Sequence, residues 1–126
     1  MDKSKYGFNK LVSSFKFAFQ GIVHGYTAGQ NIIIMTVLAF LAVTLGIVFK
    51  IQVYEMLIVL VLIGIILPLE LINTAIEAVV DLHDGNSKSK YGKIAKDCAA
   101  GALTIASIVA FVIGIIIFLP HIIKLF

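Results

Sequence analysis

Glu70-Leu71-Ile72-Asn73-Thr74-Ala75-Ile76-Glu77-Ala78-Val79-Val80-Asp81 follows an almost unbroken apolar run over residues 56–69. The run reads as a membrane-crossing helix, and the stretch after it decides how that helix ends. At about 100° per residue, positions 70, 73, 77 and 81 fall within an arc of roughly 80°. One face therefore carries two glutamates, an asparagine and an aspartate, while Leu71, Ile72, Ile76 and Val79 point elsewhere. An ionisable side chain at membrane depth costs roughly 2.5 kcal/mol or more. A whole stripe of them marks a functional surface rather than packing.

The composition fixes the solvent. The chain has 126 residues, of which 60% are hydrophobic, and its mean hydropathy is +1.07. This is more apolar than a soluble domain of ordinary composition. The reading is one integral-membrane domain over residues 1–126. The net charge is +3, and its 10 cations are all lysine. Without arginine there is no bidentate readout of base edges, so no nucleic-acid partner is expected. Cys98 is the sole cysteine and reads as a small apolar helix residue. No cleavable signal is expected, because a mixed segment follows the basic N-terminus.

Residues 1–7 read as a polar, frayed lead-in. Phe8, Leu11, Val12, Phe15, Phe19 and Ile22 then recur at helical spacing, with Lys10 and Lys16 between them. An interfacial amphipathic helix over about residues 8–28 is expected. Gly21, Gly25 and Gly29 recur every fourth residue, either as a close-packing ridge or as a loosened turn. Three spans follow, over about 32–49, 53–81 and 98–119. Pro68 is expected to kink the second and Pro120 to close the third. Residues 82–97 read as a polar loop. The three histidines have no ligand spacing and read as solvated. Four lysines precede the first span, four lie between residues 82 and 97, and only Lys50 and Lys124 lie on the other side. That asymmetry places the N-terminus and the 82–97 loop in the cytosol. Three spans alone offer little shelter for Glu70 and Asn73, so self-association is expected.

Carboxylates at such a boundary can hold a hard cation such as Mg²⁺ together with substrate phosphates. They can also accept a proton from a hydroxyl. The deeper Glu70 suits a general base, and Glu77, nearer the cytosol, suits the metal and a water-soluble nucleotide. Lys96-Asp97 adds a phosphate partner and a further carboxylate. These parts point to phosphoryl transfer, which is mostly positioning and charge neutralisation. The chain has no P-loop, kinase Gly-rich loop or HRD-type motif.

The stripe 70–81 fits the pattern E-[IL]-x-N-[ST]-A-I-E-x-x-V-D, and residues 95–102, Ala-Lys-Asp-Cys-Ala-Ala-Gly-Ala, fit A-K-D-x-x-[AS]-[AG]-A. On these motifs, and on its layout over about residues 8–120, the chain resembles the bacterial diacylglycerol kinase/undecaprenol kinase family. The resemblance implies a homotrimer with active sites shared between neighbouring subunits. It also implies transfer of the γ-phosphate of ATP, with Mg²⁺, to a membrane lipid alcohol. On it, Glu70 is the catalytic base and also touches the acceptor, Glu77 is a metal ligand, and Asn73 and Asp81 support them. Lys10 touches nucleotide and lipid, and Ala100 lines the lipid site. Phe17, Glu77, Asn86, Ser87, Lys88, Lys96 and Asp97 are implied nucleotide contacts. One position departs: Gly29 stands where the family carries a second metal-binding glutamate, and no acidic residue occurs from Lys3 to Tyr54. Residues 99–102 and the 114–120 ending, Gly-Ile-Ile-Ile-Phe-Leu-Pro, look more like the undecaprenol branch than the diacylglycerol branch. Two other readings stay open. A small oligomeric proton-coupled transporter also needs a membrane glutamate, although its key acid sits mid-bilayer and needs no Lys96-Asp97 pair. A structural subunit explains Asn73 and the glycines but leaves Glu77 and Asp81 without a role.

Overall fold

The computed structural model of the chain describes residues 3–126. Among them are four helices and no strand: α1 (Lys3–Ala28), α2 (Asn31–Val48), α3 (Val53–Asp84) and α4 (Lys90–Ile123). The last three are long and apolar enough to cross a membrane. The helix at the N-terminus begins at Lys3 rather than near residue 8. The part of the expected frayed lead-in from Lys3 onward is therefore helical, and residues 1 and 2 lie outside the described residues.

α3 and α4 form the principal pair, and α2 packs on α3. α3 has 32 residues and α4 has 34. At about 1.5 Å per residue each is roughly 50 Å long, well beyond the ~30 Å of bilayer hydrocarbon. Both helices must therefore project. Counted from Val53, the ~20 residues that cross the hydrocarbon end near residue 72. On that count Glu70 would fall at the hydrocarbon edge, with Glu77 and Asp81 beyond it.

The expected 82–97 loop is mostly helix. Only residues 85–89 separate α3 from α4. The cause is a cap that hydropathy does not register. Ser89 Oγ accepts a hydrogen bond from the Gly92 backbone N–H at 2.9 Å. The same hydroxyl donates to Asp84 Oδ1 at 2.8 Å, while Asp84 Oδ2 accepts from the Ser89 N–H at 3.2 Å. These bonds satisfy groups a helix start leaves orphaned. Gly92 is buried in this turn, and a Cβ there would collide with Asp84 Oδ2 and lie 2.9 Å from Val80 Cγ1. Pro120 does not close the third span either, since α4 runs on to Ile123.

The opposite end is tied differently. Lys50 adopts φ 53°, the left-handed geometry that turns the chain out of α2. Gln52 and Glu55 form a capping box that starts α3. Glu55 Oε1 lies 3.8 Å from His121 Nε2, and the His121 ring stacks on Phe49 with centroids 6.1 Å apart. His121 is therefore packed between elements and not solvated.

Of the three evenly spaced glycines only Gly25 packs closely. A Cβ there would strike Leu71 Cδ2, so the bare backbone lets α1 approach α3 beside Glu70. Gly21 and Gly29 face open space, and Gly29 lies in the break between α1 and α2. The Tyr26 hydroxyl adds a 2.6 Å hydrogen bond to Thr36 Oγ1 on α2. Phe8, Leu11, Phe15 and Phe19 remain exposed, so the apolar stripe of α1 is not used by the rest of the chain.

Candidate active site

The polar stripe of α3 spans two environments. Glu70 and Asn73 are each only 6% exposed, whereas Glu77 and Asp81 are open. The single chain thus already buries the two residues for which self-association was expected. Burial is not matched by bonding. Glu70 Oε2 and Asn73 Oδ1 have no hydrogen-bond partner among the described residues. An orphaned buried acceptor costs about 1–3 kcal/mol, and such atoms are rare away from functional sites. Asn73 Nδ2 donates to Glu77 Oε1 at 3.4 Å. That bond fixes which way the amide points and leaves its oxygen unused.

Asn73, Glu77 and Ala100 line one cavity of about 530 Å³. Asn31 from the first turn of α2 joins them, with Thr104 and Ser107 from α4. Glu70 lies one turn below Asn73 and does not line it. A second cavity of about 640 Å³ shares Asn31, Met35, Ser107 and Phe111 with the first. It continues along α2, α3 and α4 past Leu45, Ile63 and Phe118. Its walls hold no titratable group.

Lys96 Nζ donates to Asp81 Oδ1 at 2.6 Å, joining the start of α4 to the end of the stripe. The Asp81 hydrogen bond holds the Lys96 ammonium above its usual pKa, and the nearby Glu77 adds to this. Asp97 instead pairs with Lys93 at 2.6 Å along α4. The two members of the Lys-Asp motif therefore make separate pairs. Asp84 is pulled below the usual carboxyl range, first by the Ser89 hydroxyl and then by His83. Asn86, Ser87 and Lys88 lie exposed in the turn after α3. Lys10 and Phe17 are exposed on α1, and no hydrogen bond or ion pair among the described residues ties either to the α3 stripe.

The donor set fits a hard cation only in part. Among the described residues no group of three His, Cys, Asp or Glu side chains is arranged to hold a metal. Glu77 supplies one carboxylate, and the unused Asn73 oxygen is of the right chemistry for the same ion. Sequence reasoning missed Asn31, Thr104 and Ser107. The only signal for Asn31 was its place beside Gly29.

Comparison with known proteins agrees with these motifs. The family model described as prokaryotic diacylglycerol kinase matches residues 16–118. A diacylglycerol kinase of Synechocystis sp. is 34% identical over 115 residues, covering 91% of this chain and 66% of that protein. An undecaprenol kinase of Bacillus subtilis is 35% identical over 112 residues, covering 89% and 90%. With the family model spanning most of its length and these two kinases similar along nearly all of it, the chain belongs to the prokaryotic diacylglycerol kinase family.

Proposed function

We propose that the protein transfers the γ-phosphoryl group of ATP to the hydroxyl of a membrane lipid alcohol. The observation that carries this reading is the pairing on α3 of a buried, unpartnered Glu70 with an open Glu77 two turns along. A carboxylate at the hydrocarbon edge meets a lipid hydroxyl, and one above it meets a soluble nucleotide.

In this mechanism Glu70 takes the proton of the lipid hydroxyl. The hydroxyl oxygen bonds to the γ-phosphorus as the bond from that phosphorus to the β–γ bridging oxygen breaks, and ADP leaves. Mg²⁺, held by Glu77 and the phosphates, would supply charge neutralisation there. Asn73 orients Glu77 through their hydrogen bond. Lys96 exchanges Asp81 for a phosphate, which is easy because an exposed ion pair of this kind is weak. Asp97, Lys10, Phe17 and the 86–88 turn complete the nucleotide contacts, and Ala100 lines the acceptor site. The protein works in the bacterial plasma membrane as a homotrimer with shared active sites. α1 lies in the interface, and the N-terminus and the 85–89 turn face the cytosol.

Undecaprenol is the favoured acceptor. The apolar cavity that runs on from the polar one suits a long chain, and the undecaprenol kinase of Bacillus subtilis matches this chain over 90% of its own length. Diacylglycerol is the second candidate, on the Synechocystis relative. No observation favours the transporter. Purified protein with Mg²⁺ and labelled ATP is expected to phosphorylate undecaprenol faster than diacylglycerol. Label on neither lipid, in well-folded protein, would overturn the kinase reading.

A further inference from the structure

Glu77 is the one carboxylate among the residues that line the polar cavity. Residues 3–54 contain none, and Gly29 offers no side chain although a Cβ there would meet nothing within 4 Å. Its backbone is not left-handed, so the conformation does not demand a glycine. The nearest polar side chain that α2 sends to this cavity is Asn31. It shares the cavity with Glu77 and with Asn73, whose amide oxygen is buried and unpartnered. Hard divalent cations take amide carbonyl oxygens as readily as they share a carboxylate.

We propose that the Asn31 side-chain oxygen joins Glu77 and Asn73 in holding the divalent cation, and that the cation enters this pocket only together with the nucleotide. The charges give the order. One carboxylate against a divalent ion leaves a net positive charge, and two amides add none. Asn31 opens α2, whose N-terminus carries about half a positive charge. Asp81, one turn along from Glu77, is paired with Lys96 and so adds no net charge there. The empty pocket therefore disfavours a bare cation, and a triphosphate supplies the missing negative charge. The same helix end that repels the ion attracts the phosphates. Only the identity of the nucleotide rests on the lipid-kinase reading.

The test uses the full chain in lipid nanodiscs with Mn²⁺ as probe. Free Mn²⁺ is read by electron paramagnetic resonance with and without a non-hydrolysable ATP analogue. The wild type is expected to hold Mn²⁺ with the analogue and roughly tenfold or more weakly without it. Asn31→Ala is expected to weaken the analogue-dependent binding by roughly tenfold or more. Asn31→Asp is expected to bind Mn²⁺ without the analogue, which keeps the proposal testable if the alanine variant misfolds. Equal Mn²⁺ affinity with and without the analogue, or an unchanged Asn31→Ala, overturns it. If lipid is phosphorylated while Asn31→Ala is silent, this site falls and the kinase reading stands. If the Mn²⁺ pattern holds while no lipid is phosphorylated, the kinase reading falls and the site stands.

Discussion

Glu70 and Glu77 are two turns apart on one helix and meet different surroundings. Glu70 is 6% exposed with an unpartnered oxygen, and Glu77 is open and accepts from Asn73. The difference predicts separable roles. Glu70→Gln keeps the shape and removes the proton acceptor. It should lower kcat by about 100-fold or more while nucleotide affinity, measured by equilibrium binding, changes little. An equal loss of both would sink the base role. At this scale the sequence was informative where spacing alone carried the meaning. The arc of 70, 73, 77 and 81 could be computed from helical geometry. Asn31 could not be found that way, because an asparagine at a helix start is ordinary, and only the fold brings it to Glu77. His121 was equally silent, since its partners Phe49 and Glu55 lie far off in sequence.

Helices were legible wherever apolar residues repeat, and their ends were not. Residues 90–97 are too polar to register as span, yet they form the first two turns of α4. The capping by Ser89 and the Lys93–Asp97 pair, both set by short-range chemistry, make the difference. This junction should be acid-sensitive. Asp84 has a folded pKa below its unfolded value, so its contribution is complete above the ordinary carboxyl pKa of about 3.9. It is lost as pH falls through the lower, folded value. Hydrogen exchange of the amides over residues 89–93 is the measure. Exchange is expected to rise as the medium passes below about pH 4. Ser89→Ala should raise it at neutral pH as well, matching the loss of a cap worth about 1 kcal/mol. Unchanged exchange in that variant would show that the turn is held by other means.

For the whole molecule, hydropathy was a sound reason for a membrane fold and the polar stripe a weak one for an oligomer. Shelter for Glu70 was the argument for self-association, and the single chain already leaves it only 6% exposed. The trimer rests on the family resemblance and has its own test. If neighbouring subunits share each active site, two dead variants should repair each other. Glu70→Gln and Lys10→Ala subunits, co-expressed, are expected to regain a fraction of wild-type turnover that neither shows alone. Turnover no higher than that of the single variants would argue that Lys10 and Glu70 of one chain serve the same site.

The two junctions of α3 and α4 have a mechanical meaning. Asp84 and Ser89 fasten the helices at one end, and Glu55, His121 and Phe49 link them at the other. Two rods joined at both ends resist sliding past each other. α1 differs: its close approach is at Gly25, with Tyr26 beside it. It is a lever with its fulcrum near one end. Lys10 rides about 22 Å out along the arm, so a turn of about 10° at Gly25 carries it through about 4 Å. A small rotation next to Glu70 would thus become a large stroke at Lys10, with the stiff pair as its fixed base.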